Sequence, residues 1–257
     1  MTVAFPIRKE CPPGLCICER ERLLEQAGAD TWVDPYYFVD QLSELAPEDA
    51  LVPLGSSGTA FTVSGQAFRA KKHQRVFHAK GMAAMGFGMP SAIGASVALG
   101  GKMAITLVGD GGFQLNIQEL QTMVHHQLPI KIFVVNNNGY HAIRVTQETY
   151  FQNRYVASTA DSGVSLPELD RIAHAYRMGW RRIDNNGQVR EQIAATLATP
   201  GPEIIEIMVD PAKHLMPKLG SAIRPDGSMV SRPLEDLMPL LDREEFRANM
   251  FTQPLEW

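Results

Sequence analysis

The sequence predicts an α/β fold: three layers, α/β/α, around a doubly wound parallel sheet. Apolar runs such as Met103 to Val108 (MAITLV), Ile130 to Val135 (IKIFVV) and Glu203 to Val209 (EIIEIMV) alternate with stretches of helical period. Such runs suit strands buried on both faces, the condition that crossover helices impose on a parallel sheet. With 257 residues, 45% hydrophobic and 20% charged, the chain can bury one sizeable core and a small appendage.

Residues 1–33 lack clean periodicity and contain Pro12-Pro13-Gly14, so they read as an N-terminal extension. Order is expected from Asp34-Pro35, an N-cap followed by a favourable first helical residue, with Tyr37, Phe38, Leu42 and Leu45 at helical spacing. Ala50 to Leu54 and Arg75 to His78 are strand candidates, and Met89 to Leu99 is a helix of small residues suited to close packing. A helix over Ile117 to Gln127 separates the strands MAITLV and IKIFVV. Ser165 is expected to cap a helix that starts about Leu166-Pro167 and runs through Ile172 and Tyr176. Trp180 to Ile183 is a strand, Gln188 to Leu197 a helix, and Glu203 to Val209 the last strand. The α/β domain therefore spans 34–210, and 211–257 is a C-terminal tail with a short helical stretch near Leu234 to Arg247.

The 28 acidic and 24 basic residues are mixed along the chain, so no electrostatic footprint for nucleic acid or an anionic membrane surface stands out. No apolar run approaches the roughly 20 residues needed to span a bilayer, and Met1 to Glu10 lacks the apolar stretch of a secretory signal. A cytoplasmic protein is expected, with neither nucleic acid nor membrane as partner. Cys11, Cys16 and Cys18, spaced C-x4-C-x-C, match neither zinc nor iron–sulfur patterns and read as reduced thiols, with a metal site as the alternative.

In an open parallel sheet, ligands bind beyond the carboxyl ends of the strands. Two such ends carry chemistry: MAITLV runs into Gly109-Asp110-Gly111-Gly112, and IKIFVV into Asn136-Asn137-Asn138-Gly139. The glycines let backbone approach an anion, and a helix expected to begin near Phe113 to Asn116 aims its free N–H groups the same way. An acidic side chain, an amide oxygen and a backbone carbonyl, joined by phosphate oxygens, make an all-oxygen shell suited to Mg²⁺. Asp110, Asn137 and the carbonyl of Gly139 are the candidate ligands. Each alone has an ordinary explanation as a turn residue. Together, 27 positions apart with a helix and a return strand between them, Asp110 and Asn137 fall at one sheet edge.

GDGGFQLNIQEL followed by VVNNNGY resembles the bipartite thiamine-diphosphate (ThDP) motif of the acetolactate synthase-like enzymes, GDG followed by NN. KGMAAMGFGMPSAIGA, from Lys80 to Ala95, is similar to that family's segment GxGAMGFGLPAAIGA. The resemblance runs from about residue 30 to the C-terminus and includes SRPLEDLMPLLDREEF. It implies a ThDP-binding fold, the diphosphate-binding domain, holding ThDP and Mg²⁺ through Gly109, Asp110, Gly111, Gly112, Asn137, Gly139 and Tyr140. It also implies that Met85 wedges between the two cofactor rings and that backbone groups near Ala83 and Met85 bond the aminopyrimidine. Taken alone, Met85 would read as a core methionine. Gly58 and Thr59, in the loop Gly55-Ser-Ser-Gly-Thr59, are further diphosphate candidates, with a plain Ser/Gly turn as the alternative.

In the family, the glutamate that bonds pyrimidine N1′ sits in a separate pyrimidine-binding domain, and a middle domain binds FAD in some members. The resemblance covers neither, so it implies a split enzyme: a separate pyrimidine-domain subunit supplies the glutamate, in an α₂β₂ hetero-oligomer, with no flavin expected in this chain. The implied reaction is decarboxylation of a 2-oxo acid, most simply pyruvate, followed by transfer of the two-carbon unit to a carbonyl acceptor or by release of an aldehyde. Where acetolactate synthases place a tryptophan in the acceptor pocket, Thr146 stands here, which favours a bulkier or hydroxylated acceptor such as a keto-sugar. His141 and Arg144 are candidates for contacting a carboxylate or phosphate, with solvated helix residues as the alternative. The tail with His214, Met216 and Lys218 resembles segments that close over the site in relatives. Among rivals, a 2-oxo acid:ferredoxin oxidoreductase subunit wants iron–sulfur cysteines, and a dinucleotide-binding domain wants G-x-G-x-x-G in its first βα unit. A non-catalytic ThDP-binding module has no physical need to keep Asp110, Asn137 and Met85 together.

Overall fold

Asp34 starts the first helix, α1 (Pro35–Leu45), as its sequence requires: its carboxylate accepts the N–H groups of Tyr36 and Tyr37 at 2.9 and 3.0 Å, with Pro35 next in the chain. The computed structural model describes residues 32–79 and 81–250, so the N-terminal extension up to residue 31 and its cysteines lie outside the described residues. Packing begins one residue before Asp34, since Val33 is buried and its N–H donates to the Met208 carbonyl at 2.8 Å. The chain divides into two compact units, one ending at Lys213 and one starting at His214.

In the larger unit, β1 (Leu51–Leu54), β2 (Arg75–His78), β3 (Ala104–Gly109), β4 (Ile130–Asn136), β5 (Gly179–Ile183) and β6 (Glu203–Met208) form one sheet in the order β2-β1-β3-β4-β6-β5. Every pairing is parallel. The connections are helical. A π-helical turn at Gly58–Val63 runs into α2 (Ser64–Ala67), followed by α3 (Gly88–Ala98), α4 (Asp110–Gln114), α5 (Glu119–His125), α6 (His141–Tyr150), α7 (Leu169–Tyr176) and α8 (Asn186–Ala198). Among the described residues no helix is long and apolar enough to cross a membrane.

Alternation along the strands builds two cores. Ile130, Ile132 and Val134 of β4 join Met89, Leu120, Met123 and Leu169 on one face. On the other, Phe133 meets Phe38 of α1 with ring centroids 5.4 Å apart. The close packing expected of the small-residue helix is realised at Gly88, where a Cβ would lie 2.5 Å from Val108 Cγ1 and 3.3 Å from the Gly55 Cα. Only a residue without a side chain lets α3 start this near the sheet. One cation is buried on the α1 face of β4: Lys131 is fully buried, and its Nζ donates to the carbonyls of Thr199 and Gly201 at 2.7 and 2.8 Å. It lies 3.7 Å from the Glu203 carboxylate, and burial pushes its pKa below the usual lysine value.

Three sequence expectations need correction. Ser165 caps no helix: α7 starts at Leu169 with Glu168 as its N-cap, because Pro167 disfavours helical backbone at Leu166. Instead of starting near Phe113 to Asn116, the helix after β3 begins at Asp110 itself and ends at Gln114, and the one expected over Ile117 to Gln127 is shortened to α5. In the smaller unit, the stretch Leu234 to Arg247 is helical only in α9 (Arg243–Ala248), where Asp242 accepts the N–H groups of Glu244 and Glu245 at 2.9 and 3.2 Å. That unit also holds an antiparallel pair, β7 (Ser221–Ile223) and β8 (Met229–Ser231), joined through Asp226-Gly227. Arg243 grips the buried Asp236 with two bonds of 2.9 and 3.0 Å.

Candidate functional site

The sheet order reverses between β1 and β3, since the chain leaves β1 towards β2 and returns to place β3 on the other side. Loops leaving the carboxyl ends of strands separate at such a point and open a crevice. A cleft lies there, lined by glycines, a few polar groups and apolar side chains. It is walled by the loops after β1, β3 and β4, the segment before α3 and the start of α6.

Asp110 stands at the centre of this cleft, at the first position of α4. Its Oδ1 accepts the Gly111 N–H at 2.7 Å, and its Oδ2 accepts the N–H groups of Asn137 and Gly139 at 3.1 and 3.0 Å. The carboxylate thus ties the loop after β3 to the loop after β4, which the register Gly109↔Val135 brings level. Burial pushes the Asp110 pKa up to about 6, outweighing the opposing pull of its three backbone donors and of the Arg144 guanidinium. Among the described residues no direct ion pair neutralises this buried carboxylate.

Asn137 supplies the complementary observation. Its N–H serves Asp110, but its side-chain Oδ1 is buried with no hydrogen-bond partner among the described residues. Leaving an amide oxygen dry and unpaired costs about 1–3 kcal/mol. The cost is recovered if a ligand or cation completes the site. Gly139, the third candidate ligand, lines the same cleft, and its carbonyl accepts the His141 N–H at 2.9 Å, which leaves it a second lone pair. Among the described residues no group of three or more His, Cys, Asp or Glu is placed to hold a metal ion. A cation here must therefore take amide, carbonyl and ligand oxygens alongside the one carboxylate, and that donor set fits a hard dication bound to phosphate.

The structure brings most of the other sequence candidates to the same cleft. Gly58, Thr59, Ala83, Met85, Gly109 and Gly112 all line the cleft, as do Gly111, Tyr140 and His141. Gly111 is required by contact: a Cβ there would lie 2.1 Å from Cε1 of the Tyr140 ring. Met85 is 40% exposed, so it is no core methionine. Its loop is fastened by Asn116, whose Nδ2 donates to the Gly86 carbonyl at 2.9 Å. Ala83, at a positive φ of 46°, spends its N–H on the Ala79 carbonyl at 2.7 Å, so that N–H is not available to a ligand.

Two candidates land elsewhere. Arg144 is buried and does not line the cleft; its guanidinium donates to the carbonyls of Asn137 and Pro211 at 3.3 and 2.7 Å. It binds the backbone of the loop where the sequence suggested a substrate anion. Thr146 is exposed, also outside the lining, with its hydroxyl returned to the Ala142 carbonyl at 3.0 Å. Sequence reasoning passed over Ser56, Ser57 and Ile143, all of which line the cleft. For Ser57 a signal was available: it is the N-cap of the π-helical turn, its Oγ accepting the Ala60 N–H at 3.1 Å.

The family described as thiamine pyrophosphate enzyme, C-terminal TPP binding domain, matches residues 56–207. Maize (Zea mays) acetolactate synthase 1, chloroplastic, is 30% identical over 207 residues, which cover 79% of this chain and 32% of that protein. The acetolactate synthase large subunit of Cyanidium caldarium is 32% identical over 139 residues, 54% of this chain and 23% of that one. The chain therefore spans about a third or less of the length of the curated relatives it matches. Among solved structures, the thiamine diphosphate-dependent 4-hydroxybenzoylformate decarboxylase of Rhodococcus jostii RHA1 superposes with a TM-score of 0.61 at 21% identity. That match covers 70% of this chain and 33% of the other, and it supports the fold.

Proposed function

Because the chain belongs to the thiamine pyrophosphate enzymes, through their C-terminal TPP binding domain, we propose that it is the diphosphate-holding part of an acetolactate synthase-like carboligase. In this reading it works with a separate pyrimidine-domain subunit in an α₂β₂ assembly. The observation that carries the proposal is the buried, unpartnered Oδ1 of Asn137 beside the Asp110 carboxylate, whose charge burial disfavours.

Asp110, Asn137 Oδ1 and the Gly139 carbonyl would hold Mg²⁺ with the cofactor's diphosphate. The loop carrying Gly58 and Thr59, together with Gly109, Gly111 and Gly112, would cradle the phosphates, since none of these glycines has a side chain to obstruct the approach. Tyr140, packed on Gly111, closes that wall. Met85, half-exposed at the cleft, would support the bend between the cofactor's rings. When bound, thiamine diphosphate supplies the electron sink for loss of CO₂ from a 2-oxo acid such as pyruvate.

The chain's own contribution is to bind, orient and exclude water. His141 and Ile143, at the start of α6, line the same cleft as Met85. His141 would contact the substrate's carboxylate, and Ile143 offers an apolar surface to the transferred two-carbon unit. The glutamate that bonds pyrimidine N1′ would come from the partner subunit, and a carbonyl compound, a keto-sugar among the candidates, would accept the unit.

Calorimetry with ThDP in Mg²⁺ and in EDTA, followed by product analysis with labelled pyruvate, tests the proposal. The expected result is weak, Mg²⁺-dependent binding by this chain, weakened at least about tenfold by Asn137→Ala, and turnover only when a pyrimidine-domain subunit is added. Tight binding and turnover by this chain alone would overturn the two-subunit reading. Binding indifferent to Mg²⁺ and to Asn137 would overturn the cofactor site.

A further inference from the structure

Asn137 and Gly139 can serve a cation only if the tight turn that carries them is already formed, so whatever sets this turn sets the site. Asn138, between them, sits in the left-handed region at φ 59°. Asparagine tolerates that conformation better than most residues, but a local hydrogen bond is what holds it there. The bond is present: Oδ1 of Asn136 accepts the Asn138 N–H at 3.0 Å. This is the Asx-turn geometry, in which a side-chain carbonyl stands in for a backbone one.

An amide side chain can be turned either way, and only one orientation serves. With Oδ1 towards Asn138 the turn is closed. With Nδ2 towards it, two donors would face each other. Glu206 selects the orientation. It lies on β6, on the same face of the sheet as Asn136, and its Oε1 accepts Asn136 Nδ2 at 2.6 Å. A carboxylate only accepts, so its neighbour must present the NH₂ group.

Glu206 is only 6% exposed, borders a cleft with Asn136, Asn138 and Arg182, and makes no ion pair among the described residues. Arg182 stands beside it in register on β5, but Arg182 pairs with Asp184 at 2.6 Å. Lys131, on the neighbouring β4, is directed to Thr199, Gly201 and Glu203. Burying a carboxylate without a salt bridge is costly. A sheet position that needed only shape would be filled more cheaply by an apolar residue, as Ile204 and Ile207 are on the same strand.

We propose that Glu206 is a positioning residue: through the Asn136 amide it presets the 136–139 turn so that Asn137 and Gly139 are directed to Asp110 before any cation arrives. The inference rests on the cation-binding reading of Asp110, Asn137 and Gly139, and its chain of contacts runs from Glu206 through Asn136 and Asn138 to the two N–H groups that Asp110 Oδ2 accepts.

The test has two arms. In the cofactor-free chain with EDTA, amide hydrogen exchange is compared in wild type, Glu206→Leu and Glu206→Gln. Leucine removes the acceptor, and exchange at Asn137, Asn138 and Gly139 should rise about tenfold or more, while the sheet amides of Ile132 and Ile205 stay protected. Glutamine restores an acceptor oxygen and should restore protection, a rescue that simple core filling does not give. In the second arm, Mn²⁺ uptake in the presence of ThDP, followed by electron paramagnetic resonance, should weaken about tenfold or more in Glu206→Leu and recover in Glu206→Gln. Unchanged exchange at 137–139 in Glu206→Leu, or no recovery with glutamine, overturns the positioning role. ThDP-independent Mn²⁺ behaviour in wild type overturns the cation reading beneath it, and the two failures appear in different arms.

Discussion

Replacing Asp110 by asparagine should remove a pH-dependent stability penalty from the cofactor-free protein while destroying the site. The aspartate is buried, and its pKa is raised from 3.8 to about 6 in the folded chain. At about 1.4 kcal/mol per pH unit, that rise corresponds to about 3 kcal/mol. The sign follows from linkage. Below 3.8 the carboxyl is protonated whether folded or unfolded, and it costs nothing. As pH climbs towards 6 the unfolded chain releases its proton first, so the folded state loses stability, and above about 6 the full penalty is present. An asparagine at 110 carries no such dependence. The stability of Asp110→Asn relative to wild type should therefore rise by about 2–3 kcal/mol between pH 4 and pH 7, or about 5–10 °C in Tm, whatever fixed cost the lost acceptor oxygen adds at every pH. Urea unfolding in EDTA across that range measures it, and all other carboxylates cancel in the comparison. Adding Mg²⁺ with ThDP at pH 7 should raise the wild type and leave the variant unmoved, because a dication stabilises the ionised form that burial penalises. A gap that is flat with pH would refute the claim that this carboxylate is held in readiness for a counter-charge.

Two further outcomes follow from the packing. Gly111→Ala places a Cβ 2.1 Å from the Tyr140 ring and should weaken Mg²⁺-dependent ThDP binding at least about tenfold and cost about 1–3 kcal/mol in unfolding. Gly112→Ala, where the nearest atom lies 3.9 Å away, should leave unfolding within about 0.5 kcal/mol, so equal effects would contradict the contact argument. Lys131→Met should cost about 3 kcal/mol by denaturant titration, since it strips two carbonyls of their donor and leaves Glu203 to Arg181 alone; a neutral result would mean the buried ammonium contributes nothing.

The sheet was legible because its strands are short, apolar and bounded, and because Asp110 and Asn137 close two successive βα units at matching ends. What escaped has physical causes. Ser165 looks like an N-cap, yet the restriction that Pro167 places on its predecessor delays the helix to Leu169. Arg144 carries a charge that invites a ligand, but a guanidinium's donors are equally served by carbonyls, and which it meets depends on where Pro211 passes. Thr146 matches the family's tryptophan by its position along the chain, and position alone cannot say which side of α6 faces the cleft. Glu206 gave no signal at all, since an acidic residue within an apolar strand has this meaning only beside Asn136. The hairpin after residue 220 was announced by Asp226-Gly227, a turn dipeptide the tail reading passed over.

The reversal of strand order between β1 and β3 carries a consequence for how the molecule matures. The loops after β1, β3 and β4 become neighbours only after two crossovers have closed, so no shorter stretch of the chain holds the complete cleft. Non-local pairing of this kind is slow to assemble. A ligand that needs all three walls would be blind to half-built chains and would reward only the finished ones, making its capture a quality check on folding itself.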